Sequence, residues 1–200
     1  MMARASPIPR PGGRRQTNAD WHESHSGDIW VFGYGSLMWR PDFAFAERRT
    51  ATLRGHHRAL CVYSHHHRGT AARPGLVLGL DYGGTCRGLA YRIPAPDVAR
   101  TVRYLREREQ VTSVYLERIV PVTLDGGPLV PALTYTVDRT HHQYAGRLDH
   151  GDLLRLVRQG EGVSGDNPAY VLNTVALMHE LGIDDPTLRR LAAELVRNDQ

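Results

Sequence analysis

Apolar residues follow two rhythms along this chain, and the switches between them divide it. Ile29-Trp30-Val31-Phe32 is an unbroken apolar run ending at Gly33-Tyr34-Gly35-Ser36. It predicts a buried strand over residues 28–34 that runs into a tight loop. Residues 51–64 predict a second strand, with Arg54, His56 and Arg58 on its polar side. His65-His66-His67-Arg68-Gly69-Thr70 and Arg73-Pro74-Gly75 read as one long loop. Residues 76–82 and 86–93 flank Gly83-Gly84-Thr85 and predict a hairpin. Helical spacing begins after Pro94 and Pro96 and is expected to last to about Gln110. Residues 112–124 and 129–137 predict another strand pair around Asp125-Gly126-Gly127. Three helices complete the chain: residues 149–159, a helix opened by Asn167-Pro168 and closed at Gly182, and one from Asp185-Pro186 to about Asn198. Strands, one helix, strands, then helices predict an α+β domain on a mostly antiparallel sheet, closed or strongly curved.

Residues 1–27 stand apart. Arg4, Arg10, Arg14 and Arg15 precede the first acid, Asp20, among Pro7, Pro9, Pro11, Gly12 and Gly13. Such a segment has too little apolar surface to offset its ordering entropy, so it is expected as a disordered basic tail before a domain over residues 28–200. The net charge of +4 sits largely in that tail. The body is close to neutral, and its composition demands no nucleic-acid partner. No apolar run approaches the ~18 residues of a membrane span. No secretory h-region opens the chain, and a cytoplasmic location is expected. Cys61 and Cys86 lack metal-type spacing and read as buried free thiols.

Two features carry chemistry. The glycine loop after the first strand brings backbone N–H groups near a hydroxyl, a common cradle for an anionic or carbonyl oxygen. The helix near residues 96–110 carries the second. Val98, Val102 and Leu105 mark its buried stripe, and four residues further the stripe reaches Glu109. A carboxyl there is expected to have a raised pKa, from burial and from the negative end of the helix dipole. The ordinary alternatives are that Glu109 pairs with Arg106 or Arg108, or that the helix ends early and leaves it solvated. Other chemistries fit less well. Adjacent histidines at 65–67 and 141–142 point in different directions and lack ligand-spaced partners, so no metal is expected. Gly33-x-Gly35 lacks the third glycine of a dinucleotide fingerprint, since Met38 stands there. A nucleophilic Cys61 would need a nearby base, and His57 is in range in sequence alone.

The chain resembles the ChaC-like γ-glutamylcyclotransferases. The resemblance rests on residues 30–39 with Pro41-Asp42-Phe43, on Gly69-Thr70 with Arg73-Pro74-Gly75-Leu76, and on residues 86–94. It continues through Arg108-Glu109, Tyr115, and Ser164-Gly165-Asp166-Asn167 with Tyr170, in family order over residues 28–182. It implies a mixed, mostly antiparallel β-barrel with flanking helices. It also implies cleavage of a γ-glutamyl amide, glutathione above all, to 5-oxoproline and Cys-Gly without a cofactor. By the same resemblance Glu109 is the catalytic residue, and Val31, Phe32, Gly33, Tyr34, Gly35, Ser36, Leu37 and Tyr115 bind substrate. Two alternatives stand beside it: the same cyclisation on other γ-glutamyl amides, and a non-catalytic module whose basic tail engages an acidic partner.

Overall fold

The first strand, β1 (Ile29–Gly33), is short and mostly buried, and both of its sheet neighbours come from distant parts of the chain. A computed structural model describes residues 22, 25–110 and 112–197. The expected tail falls outside the described residues except for His22 and residues 25–27. β1 pairs antiparallel with β3 (Gly75–Ile93) and parallel with β5 (Leu129–Val137). β2 (Glu47–Ser64) and β4 (Tyr115–Leu124) complete a closed barrel in the order β1–β3–β2–β4–β5. One parallel pair among antiparallel ones is the mixed, mostly antiparallel barrel the sequence implies. Val31, Phe32, Leu89, Tyr91, Ile93 and Leu133 are buried in one core. α1 (Val98–Glu109) adds Val98, Val102 and Leu105 to that core.

The expected hairpin at residues 83–85 is a correction. β3 runs through that point as one strand and pairs with β2 along both lengths. Arg54 faces Thr85 and His56 faces Tyr82, so two glycines, Gly83 and Gly84, oppose the single Gly55. All three have positive φ, at 96°, 72° and 83°. A glycine pair with positive φ suits a chain reversal or a bulge equally well, and here it bends a long ribbon. The irregularity also changes the parity of burial along β2. Ala51 and Leu53 are buried before it, and Arg58, Leu60 and Val62 after it. Arg58, expected on the polar side with Arg54, is therefore inside.

Helices α2 (His150–Gln159), α3 (Asn167–Glu180) and α4 (Pro186–Arg197) pack beside the barrel. Their starts follow side-chain caps. Asp149 accepts from the Asp152 N–H at 2.8 Å, and Asp166 from the Ala169 N–H at 2.6 Å. Between α2 and α3 lies a two-stranded ribbon that the sequence reading lacks, β6 (Glu161–Gly162) with β7 (Gly165–Asp166). Its turn lies against the histidine loop, with Val163 and Ser164 N–H groups donating to the His66 and His67 carbonyls, both at 3.0 Å. A Cβ on Gly75 would collide with the Arg68 carbonyl, and one on Gly160 with the same oxygen, so this packing admits only glycine.

Candidate active site

The loop after β1 forms a single 3-10 turn over Ser36–Met38, closed by Met38 N–H to Gly35 O at 2.9 Å. Its carbonyls are held from the barrel side. Arg58 Nε donates to Tyr34 O, and the single Tyr91 O–H is shared between the Leu37 and Met38 carbonyls, both at 3.0 Å. The Gly35 and Ser36 carbonyls accept from the turn itself. A trans peptide aims its N–H opposite its carbonyl. Anchoring these oxygens therefore turns the Gly35, Ser36 and Leu37 N–H groups away from the anchors. All three residues line a cavity of about 470 Å³. That is within the usual range for a small-molecule site.

Glu109 lies in the wall of this cavity at the C-terminal end of α1, its side chain 17% exposed. Both ordinary fates are answered in part. The helix reaches Glu109, and Arg106 is occupied by a two-pronged pair with Glu117, both bonds 2.8 Å. Arg108 Nε stands 3.4 Å from Glu109 Oε1. Burial raises the Glu109 pKa above its ordinary 4.5, and the Arg108 charge opposes that rise.

Tyrosines surround this carboxylate. Tyr34, Tyr115, Tyr135 and Tyr170 all line the cavity, and burial pushes each phenol up, Tyr170 to about 12. The Glu109 charge adds to the rise in all four. They are protonated at neutral pH and act as neutral hydrogen-bonding groups. One residue, Leu78, sets two of them apart. Tyr115 Oη donates to Leu78 O at 2.8 Å, whereas Tyr170 Oη accepts from Leu78 N–H at 3.2 Å. Tyr115 has committed its proton and offers lone pairs to the cavity, while Tyr170 keeps its proton to donate.

Of the residues singled out by sequence, Phe32, Tyr34, Gly35, Ser36, Leu37, Tyr115 and Glu109 come together around the cavity. Val31 and Gly33 do not line it. Val31 is fully buried between its partners Tyr91 and Leu133, and a Cβ on Gly33 would press on Leu37 at 3.0 Å. The mouth of the cavity adds Arg40, His67, Arg68 and Ser164. His67 Nδ1 is 3.0 Å from Ser164 Oγ, and the Arg68 guanidinium stacks 5.3 Å over the Tyr170 ring. No group of three His, Cys, Asp or Glu suited to a metal ion occurs among the described residues. Cys61 and Cys86 are free and buried, and burial pushes the Cys61 thiol up to about 12, far from nucleophilic thiolate behaviour. No helix among the described residues is long and apolar enough to cross a membrane.

A family model described as ChaC-like protein matches residues 29–198, most of the chain. This chain belongs to the ChaC-like family. It is 36% identical over 165 residues to the glutathione-specific gamma-glutamylcyclotransferase of Escherichia coli (strain K12), covering 82% of this chain and 71% of that protein. It is 31% identical over 185 residues to glutathione-specific gamma-glutamylcyclotransferase 1 of Homo sapiens, covering 89% and 83%. A crystal structure of a yeast γ-glutamyl cyclotransferase specific to glutathione superposes with a TM-score of 0.78 at 22% identity, covering 86% of this chain and 96% of that one. That likeness carries the fold.

The ChaC-like motifs acquire physical reasons here. Gly75 and Gly69 permit the histidine loop to close on itself, where a Cβ on Gly69 would collide with Gly75 N. Asn167, fully buried, accepts from Leu76 N–H at 2.6 Å and donates to Leu76 O at 2.7 Å, which ties α3 to β3. Tyr91, inside the motif of residues 86–94, holds the glycine loop by two carbonyls. The sequence does not single out Arg68 as a cavity residue or Arg58 as an anchor of the glycine loop. Arg68 stands next to the motif glycine Gly69, a signal that was available; the burial of Arg58 depends on the bulge in the β2–β3 ribbon and left no local sign.

Proposed function

We propose that this chain is a γ-glutamylcyclotransferase that cleaves glutathione to 5-oxoproline and Cys-Gly. The observation that supports it most is the placement of the Glu109 carboxylate in the same cavity as Gly35, Ser36 and Leu37, residues of the loop whose carbonyls are held on the other side. The reaction is an intramolecular aminolysis. The α-amine of the γ-glutamyl group attacks its own γ-carbonyl, a five-membered lactam closes, and the Cys-Gly amine departs. Ring closure supplies the nucleophile at high effective concentration, so the step calls for no covalent intermediate and no cofactor. The amine arrives as ammonium and must lose a proton, and the leaving nitrogen must gain one. Glu109 does both in turn, first as base and then as acid, and a raised pKa suits a group that must hold and release a proton near neutral pH. The loop N–H groups take the glutamyl carboxylate or the developing oxyanion. Tyr115 accepts from the ammonium, and Tyr170 donates to a substrate oxygen.

The test incubates the purified protein and its Glu109→Gln variant with reduced glutathione and measures 5-oxoproline and Cys-Gly by mass spectrometry. General acid–base help of this kind is worth about 10²–10⁴ in rate. The expected result is both products from the wild type, and a loss of that size in the variant with calorimetric glutathione binding retained. Near-normal turnover in Glu109→Gln removes Glu109 from the mechanism. Product from another γ-glutamyl amide but not from glutathione keeps the chemistry and moves the substrate.

A further inference from the structure

Arg108 sits where three parts of the site meet. Its Nη1 donates to Arg40 O at 2.7 Å and to Tyr104 Oη at 2.8 Å, and its Nη2 donates to Ser36 Oγ at 3.0 Å. Its Nε faces Glu109 at 3.4 Å. One guanidinium thus touches both ends of the 36–40 loop, the helix it grows from, and the carboxylate beside it. Its side chain is 20% exposed, so these contacts are sheltered from solvent screening.

We propose that Arg108 is a positioning residue, which clamps the 36–40 loop to α1 and keeps the Glu109 carboxylate available as a base. This rests on the γ-glutamylcyclotransferase reading. A lysine in its place keeps the charge but offers no planar fork that reaches three oxygens at once. The groups facing Glu109 from the other elements are phenols: Tyr34 after β1, Tyr115 on β4, Tyr135 on β5 and Tyr170 on α3. None of them carries a positive charge. Asp42 Oδ2, 3.7 Å from Arg108 Nη1, shares the cation. Among the described residues, Arg108 is the cation within 4 Å of Glu109, and its removal leaves burial unopposed.

The test compares Arg108→Gln and Arg108→Lys with wild type in two readouts. The first is the pH profile of kcat/KM on glutathione. In Arg108→Gln the acid limb should move up by about 1–3 pH units, the usual effect of a close opposite charge on a carboxyl. Arg108→Lys should hold the limb near its wild-type position while KM rises, because the loop is no longer clamped. The second is a carbon-13 NMR titration of Glu-labelled protein, with the Glu109 signal assigned by its loss in Glu109→Gln. It should show the same upward move in Arg108→Gln and needs no turnover. A Glu109 titration unmoved in folded Arg108→Gln overturns the proposal. Failure of glutathione turnover in the wild type, with the titration shifted as expected, overturns the substrate reading instead and leaves the clamp standing.

Discussion

Asn167→Ala removes two hydrogen bonds and leaves both partners buried. The Asn167 amide satisfies the N–H and the C=O of Leu76, at 2.6 and 2.7 Å, and both residues are 0% exposed. Each buried polar group left without a partner costs about 1–3 kcal/mol. Two such groups cost about 2–6 kcal/mol, a large part of the roughly 5–15 kcal/mol that holds a domain folded. For a chain of 150–250 residues each kcal/mol lowers Tm by about 2–4 °C, so a fall of about 4–24 °C is expected. Thermal and urea unfolding followed by circular dichroism measure it. Asn167→Asp supplies a second arm. Ionised, it keeps an acceptor for Leu76 N–H but sets a carboxylate oxygen against Leu76 O. Protonated, it restores both bonds. Its deficit should therefore shrink as pH falls. A Tm for Asn167→Ala within about 2 °C of wild type would refute the reasoning, because it would mean that neither peptide group needs the amide.

Three further outcomes follow from the cavity. Turnover should fall as pH drops through the raised Glu109 pKa, and the acid limb of kcat/KM should lie above the ordinary carboxylate value of 4.5; a limb at or below that value contradicts the role of burial. The same shift makes ionised Glu109 a cost to the fold, since the unfolded chain gives up that proton more readily. Stability from this group is full below its unfolded pKa and is lost as pH rises through the folded one, so any Tm advantage of Glu109→Gln should grow from pH 4 to pH 8; a difference that shrinks over that range counts against it. Tyr170→Phe should lower kcat more than Tyr115→Phe, because only Tyr170 has a proton free for the substrate, whereas Tyr115→Phe should mainly raise KM; equal effects on kcat would show that the Leu78 bonds do not set donor against acceptor.

The parts of the fold that were legible rest on short-range rules. The helix starts near residues 149 and 167 follow from capping chemistry, with one correction: the cap expected at Asn167 is Asp166, which bonds three residues ahead as Asp149 does, and Asn167 is the first helical residue. Glu109 was found because a helix repeats every 3.6 residues, and the spacing Val98–Val102–Leu105 extends to it. The glycine loop follows from a buried strand that ends in residues with little side-chain bulk. The illegible parts depend on partners far along the chain. Whether Gly83-Gly84 reverses the strand or bends it is decided by the register with residues 54–56, and both outcomes use the same positive φ. Arg58 is inside because its acceptors, the Tyr34 and Arg87 carbonyls, are 24 and 29 residues away. The 161–166 ribbon is two residues per strand and owes its place to the carbonyls of His66 and His67.

The same distinction, between what local rules hold and what distant contacts hold, divides the cavity into two sides. Asn167 and Tyr170 are three apart on α3 and share a face of that helix, while Leu76 and Leu78 are two apart on β3 and share a face of that strand. The helix is therefore docked at two points, and its second point is also the hydroxyl that Tyr170 presents to the cavity. Tyr115 reaches the other group of the same Leu78 peptide residue from β4. Glu109, the loop N–H groups and these two tyrosines thus stand on a helix, a strand or a turn whose carbonyls the barrel holds. A group that must bring an amine and a carbonyl into ring-closing geometry benefits from that rigidity, because misplacement of reacting atoms by about 1 Å costs roughly 10²-fold. His67, Arg68 and Ser164 stand instead on the histidine loop and the 161–166 ribbon, which hold each other by backbone hydrogen bonds and glycine contacts. Under the proposed reaction, the γ-glutamyl end is common to every substrate and is expected on the first side, and the leaving group, which varies, on the side built on loops. Substitutions at His67, Arg68 or Ser164 should therefore change the ratio of turnover between glutathione and other γ-glutamyl amides more than they change the pH profile that Glu109 sets, and an unchanged ratio would refute this division of the cavity.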